Sequence, residues 1–211
     1  GRRLIVDPGV ATYTAGDLRD ATRSAASHNG PHVRGEDTLE HWGSFRVGRR
    51  AGAGALDDPL LAGFAPLHRA GWHDGYRSQG VMARRFIGLW PGEGTLICDL
   101  WRGGADAPGI CNFLLPATWN MTEAEPLVFK QGQISVRVAA PVGKIKEVTA
   151  AQFWPRFEAP EPAHKITLTP DISGPDLRAA LWLCWGDSLS APDGETLARL
   201  FDALARAEGG G

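Results

Sequence analysis

The sequence is short of positive charge, of cysteine and of long apolar runs, and each shortage excludes something. Its 22 Lys and Arg stand against 24 Asp and Glu, a net charge of −2, so the broad basic excess of a nucleic-acid-binding surface is missing. No apolar stretch approaches the roughly 18 residues of a membrane span, and no signal peptide precedes the first apolar run. Neither nucleic acid nor membrane is therefore an expected partner. The three cysteines, Cys98, Cys111 and Cys184, sit inside apolar runs with no CxxC pair. They read as buried thiols rather than ligands, although one bridge stays open as an alternative, and they do not fix the compartment. A Gly-x-Ser-x-Gly elbow is missing, as is a glycine-rich loop followed by a helical pattern, which leaves serine hydrolysis and nucleotide binding without support.

What the chain does have is punctuation: 27 glycines and 15 prolines in 211 residues, which cut it into segments mostly too short for helices. Gln133 to Val138 alternates with Ile134, Val136 and Val138 on one face, and Lys165 to Thr169 turns Ile166 and Leu168 inward, the pattern of half-buried antiparallel strands. Leu4 to Val6, Arg84 to Leu89, Thr95 to Trp101, Cys111 to Leu115 and Ala179 to Trp185 are denser apolar runs, expected as strands packed between two sheets. Asp193 followed by Leu197, Leu200, Phe201 and Leu204 predicts a capped amphipathic helix that stops at Gly209. Asp17 to Ala26 predicts a weak helical turn, Gly52 to Gly71 a long loop, and Phe153 to Ala163 an extended connection on the surface. The expected fold is all-β: one large antiparallel β-sandwich over residues 1–211 with a short C-terminal helix.

Candidate chemistry gathers near the N-terminus. Six arginines, Arg19, Arg23, Arg34, Arg46, Arg49 and Arg50, form a local group without lysine, suited to bidentate recognition of carboxylate or sulfate. The alternative is that they solvate strand faces. Ser27-His28-Asn29 places an imidazole that titrates near neutral pH beside an amide able to hold it or to bind a carboxylate, against the alternative of a hydrogen-bonded structural histidine. His28 and His32 would share a strand face and, with one distant histidine, hold zinc. Pro31 between them disturbs any regular strand, so no cofactor is expected and zinc is the weaker alternative. His164, beside Lys165, is expected at the surface.

Taken in order, Asp7-Pro8-Gly9, Tyr13, Arg23-Ser24, Ser27-His28-Asn29, Gly35-Glu36-Asp37, His73-Asp74-Gly75-Tyr76 and Arg84-Arg85 resemble the C-terminal β-sandwich of the heparinase II/III-like polysaccharide lyases. The resemblance spans about the first hundred residues, and the later half resembles the family only in being β-rich. It implies a two-domain enzyme, an N-terminal α/α toroid followed by the sandwich with a polysaccharide cleft between them, secreted or periplasmic. Such enzymes cleave uronic-acid glycans by β-elimination, with a tyrosine and a carboxylate-binding group from the toroid and one histidine from the sandwich. That histidine corresponds to His28, with Asn29, Arg23 and Arg46 as the substrate-binding candidates. Gly30-Pro31 stands where metal-binding members carry a further histidine, whereas His73 falls where they have another ligand.

The chain opens on GRRLIVDPG with no methionine and no helical region ahead of it, so it is expected to be the second domain of a longer protein and inactive alone. The competing expectation is a carbohydrate-binding or structural module without catalytic duty. On that reading Trp42, Trp72 and Trp119, the tryptophans outside dense apolar runs, would meet sugar.

Overall fold

The computed structural model describes residues 2–185 and 190–208. The N-terminal third holds α1 (Asp17–Arg23), β1 (Gly30–Val33), β2 (His41–Trp42), β3 (Arg46–Val47), β4 (Ala53–Ala55) and β5 (Leu67–His73). Longer strands follow: β6 (Met82–Trp90), β7 (Gly94–Arg102), β8 (Gly109–Pro116), β9 (Asn120–Ala124), β10 (Leu127–Gln131) and β11 (Ile134–Val142). The chain closes with β12 (Lys144–Arg156), β13 (Ala159–Thr169), β14 (Asp171–Ser173), β15 (Asp176–Cys184) and α2 (Gly194–Arg206). One sheet runs β4-β5-β6-β7-β15-β11-β10-β9 with β14 on β15, a second runs β1-β8-β13-β12, and β2 and β3 form a separate hairpin. The strand ladders are antiparallel, so the fold is the expected all-β sandwich with a C-terminal helix.

Alternation explains the layers. In β8, Cys111, Phe113 and Leu115 point between the sheets, with Ile166 and Leu168 of β13 beside them. They meet Ile97 and Trp101 of β7, Val136 and Val138 of β11, and Leu177, Ala179, Leu181 and Leu183 of β15. Ile134, expected on the same inward face as Val136, lies at the strand end and is 42% exposed. The other face of the large sheet is covered as well. Leu96, Cys98 and Leu100 of β7 and Ala180 and Trp182 of β15 pack against Leu197, Leu200, Phe201 and Leu204 of α2. The dense runs 95–101 and 179–185 are therefore apolar on both faces because a sheet covers one side and a helix the other, not two sheets. Asp193 caps α2, accepting from the Thr196 amide at 2.8 Å. Its far end is closed by buried Arg84, which donates to the carbonyls of Leu204 and Ala207 at 2.7 Å each. The expected stop at Gly209 lies outside the described residues.

Three further expectations change. Phe153 to Ala163 is no surface connection: β12 and β13 are one long hairpin turning at Phe157 and Glu158, the latter at φ 55. Its prolines fit because Pro155 falls in a register shift of an edge strand, while Pro160 and Pro162 lie where β13 has run past the end of β8. The span 52–71 is not one loop, since Ala53 to Ala55 pair with Gly71 to His73 and β5 begins at Leu67. Small exposed residues hid β4. Leu4 to Val6, finally, is not a strand. Val6 donates to the Leu114 carbonyl at 3.0 Å, but the return bond that would continue a ladder is taken by a side chain.

Candidate functional site

The return bond belongs to Asn29. Its amide nitrogen donates to the Val6 carbonyl at 2.7 Å, and its oxygen accepts from the Leu114 amide at 2.6 Å. A side-chain amide thus sits where a backbone peptide would, stitching the N-terminal segment to the edge of β8 beyond the end of β1. This clamp fixes the neighbours of both its ends. One neighbour is Asp7, whose Oδ1 accepts from the Gly9 amide at 3.0 Å in the Asp-Pro-Gly turn. The other is His28, whose Nδ1 lies 2.8 Å from Asp7 Oδ2. Gly9 itself, at φ 72, runs against Trp154 so closely that any Cβ would collide with the Trp154 carbonyl oxygen. The turn that aims Asp7 therefore requires glycine.

A carboxylate on Nδ1 favours the proton there and leaves Nε2 as the ring's acceptor nitrogen. His28 keeps 43% of its side chain exposed and lines a cavity of about 550 Å³ together with Arg23, Asn29, Trp72, His73 and Arg85. Replacing Asn29 with alanine should leave the Val6 carbonyl and Leu114 amide unpaired and cost about 2 kcal/mol. Urea unfolding of Asn29→Ala measures this, and a change below about 0.5 kcal/mol would contradict the clamp.

Arg85, at the cavity, is held by a buried carboxylate behind it. Arg85 meets Asp99 through Nε–Oδ1 at 2.6 Å and Nη2–Oδ2 at 2.7 Å, and its Nη1 donates to the Asn29 carbonyl at 2.8 Å. Asp99 also accepts from the Cys111 thiol at 2.9 Å. Burial pushes that thiol well up and the Asp99 charge adds to it, so Cys111 stays protonated and donates. Cys98 is likewise buried and pushed up, and Cys184 is buried too, as core thiols should be.

The other histidines divide by place. His73 lines the same cavity as His28; its Nδ1 accepts from the Gly75 amide at 3.2 Å, and burial lowers its pKa. His32 is 4% exposed and faces a different hollow, beside Ser24, Arg34 and Asp37. Burial lowers its pKa as well. His28 stands before β1 and His32 within it, so they do not share a strand face. Among the described residues no three His, Cys, Asp or Glu converge on one point. His164 is half-buried, its ring 5.4 Å from Phe129.

Of the sequence candidates, His28, Asn29 and Arg23 meet in one cavity, and Arg46 stands outside it. The arginine group is largely occupied by backbone carbonyls. Arg19 holds Ser44, Arg23 holds Gly43 at 2.6 Å, and Arg49 holds Gly75 at 2.8 Å and Asp37 at 3.0 Å. Arg23 and Arg19 together seat the β2–β3 hairpin against α1. Of the three tryptophans singled out, Trp119 is 3% exposed and bonds the Arg3 carbonyl, Trp72 is half-buried at the cavity, and Trp42 is 56% exposed. Asp7, Arg85 and Asp99 were not among the sequence candidates for the site. The Asp-Pro-Gly turn marked a tight bend, but nothing in it announced a partner 21 residues away.

No curated protein matches the chain. Solved structures do, all at low identity. Heparan sulfate lyase HepC from Pedobacter heparinus aligns with TM-score 0.59 and 11% identity over 92% of this chain and 30% of that one. A heparinase III gene product gives TM-score 0.61 and 13% identity over 87% and 28%, and another heparinase III gives 0.54 and 16% over 89% and 28%. The chain thus spans under a third of the length of each, and at these identities the likeness concerns the fold. No helix among the described residues is long and apolar enough to cross a membrane. Residues 1–178 match the heparinase II/III-like C-terminal family, a match that runs well beyond the first hundred residues, and the chain belongs to that family.

Proposed function

We propose that this chain is the β-sandwich half of a polysaccharide lyase that cleaves uronic-acid glycans by β-elimination, with His28 as its proton-handling residue. The observation that carries the reading is that His28, held by Asp7 through Nδ1, lines a cavity of about 550 Å³. In the elimination, a base removes the proton on the carbon next to the uronate carboxylate. The electron pair forms a carbon–carbon double bond, the glycosidic carbon–oxygen bond breaks, and the leaving oxygen takes up a proton. With Nδ1–H held by Asp7, neutral His28 presents the Nε2 lone pair to receive the first proton. Once protonated, the same nitrogen supports the negative charge that develops on the substrate carboxylate. Asn29 acts through the clamp, with both ends of its amide committed to backbone, and Arg23 borders the same cavity.

The rest of the constellation comes from elsewhere on this reading. The chain has two tyrosines, Tyr13 and Tyr76. Tyr76 is fully buried, and burial raises its pKa far above the usual phenol range while the Val33 backbone pulls the other way. Tyr13 stacks with Phe45 and Phe157 and does not line the cavity. Neither suits protonation of a leaving oxygen, which supports a second, helical domain of the same polypeptide facing His28. The chain alone then holds too few groups for turnover, and an acidic glycan outside the cytoplasm is the fitting substrate. A polypeptide joining this chain to its helical domain is expected to convert heparan sulfate or a related uronate polymer to products with the ultraviolet absorbance of a new double bond. Failure on every uronate polymer would overturn the reading.

A further inference from the structure

Tyr13, Phe45 and Phe157 come from three separate segments: the stretch before α1, the β2–β3 hairpin and the β12–β13 turn. They nevertheless form one stack at the surface. Tyr13 lies 5.7 Å from Phe45 and 5.1 Å from Phe157, each pair inclined by only 22°. The guanidinium of Arg19 stands 5.2 Å from the Tyr13 ring while donating to Ser44, the residue before Phe45. Despite this order the rings remain open to water: Tyr13 is 49%, Phe45 72% and Phe157 51% exposed. Three ordered, exposed aromatics are a costly surface for a protein that has its sandwich core elsewhere, and contiguous exposed apolar area marks a binding surface.

We propose that this stack is a saccharide-binding platform, outside the cavity, that holds a further stretch of the same glycan chain. An aromatic face matches the apolar C–H face of a pyranose ring, and a rigid ring loses little conformational entropy on binding. The charge around it suits an acidic sugar. Arg46 follows Phe45 and Arg156 precedes Phe157; both are exposed, and neither guanidinium has a hydrogen-bond or ion-pair partner among the described residues. Glu158 is the acidic neighbour at the same turn, and Asp17 and Asp20 are the exposed acids of α1. Continuity with the cavity comes through α1 and the hairpin. Arg23 lines the cavity and bonds Gly43 of the hairpin that carries Phe45, and Arg19, one turn earlier, anchors the next residue, Ser44. This gives Arg46, left outside the cavity, a place in glycan binding.

The proposal rests on the glycan-lyase reading, but it is tested apart from turnover, by calorimetric titration of the 211-residue chain with a heparan sulfate octasaccharide. Phe45→Ala and Phe157→Ala should each weaken binding by about tenfold, the scale of one lost aromatic contact, and Phe45→Trp should retain it. Unfolding midpoints should stay within error for Phe45→Ala, whose ring is mostly in water. No binding by the native chain, or unchanged affinity in both alanine variants, would overturn the proposal. So would a native dimer in sedimentation that Phe45→Ala splits without changing glycan affinity, since the stack would then be a contact between copies. Elimination product from the longer polypeptide with unchanged affinity in these variants removes the platform alone. Aromatic-dependent binding without any elimination product removes the lyase reading alone.

Discussion

Replacing His28 with alanine, in a polypeptide that joins this chain to the proposed helical domain, is expected on the lyase reading to lower kcat about a thousandfold, within the range measured for loss of a positioned acid or base. The expectation follows from the dyad. Asp7 Oδ2 at 2.8 Å from Nδ1 favours the proton on Nδ1, and on the lyase reading Nε2 meets substrate. An alanine offers no group to take the proton, while the clamp made by Asn29 keeps the surrounding backbone in place. KM should change far less than kcat, because the lost interaction is made with a moving proton. Asp7→Asn should fall between the native protein and His28→Ala: the amide can still bond the ring but no longer favours a proton on Nδ1. Since the carboxylate is 63% exposed, water shares in its work, and the loss should be nearer a hundredfold than the larger losses known for buried triads. A His28→Ala variant with native kcat would assign the histidine to structure.

The largest stability effect is expected at Asp99. This residue is 1% exposed and bonds Arg85 twice and Cys111 once. Burial disfavours the Arg85 guanidinium charge, and Asp99 more than restores it. Asp99→Ala leaves that cation without its counter-charge inside the sandwich, at a cost of about 3–5 kcal/mol. Urea unfolding of the 211-residue chain reads the loss directly, and a change below about 1 kcal/mol would contradict the account. The damage should also reach the cavity, because Arg85 holds the Asn29 carbonyl at 2.8 Å. Asp99→Asn, which keeps the shape and part of the hydrogen bonding, should cost less than Asp99→Ala.

The sheet and helix were legible where a period was legible. Gln133 to Val138 alternates, and Leu197 to Leu204 recurs on one helical face; both became the expected element. What stayed hidden has physical causes. Leu4 to Val6 has a strand's composition, yet a side-chain amide takes the ladder's place, and no propensity encodes that substitution. The β12–β13 hairpin was masked by its prolines, which are harmless only because they fall at an edge, at a register shift and past the end of β8. His28 and Asn29 could be picked out from their residue types, but the partnership with Asp7 is a tertiary fact. The arginines were legible as charge and not as contacts: the carbonyls of Gly43, Ser44 and Gly75 that occupy Arg23, Arg19 and Arg49 leave no mark in a sequence.

The most direct test of the central claim is the mass of the products formed from heparan sulfate by a polypeptide that joins this chain to the proposed helical domain. The account predicts fragments whose new non-reducing ends are lighter by one water than hydrolysis would leave and absorb in the ultraviolet, formed about a thousandfold more slowly by His28→Ala. Saturated ends, or unsaturated ends made equally well without His28, would contradict it.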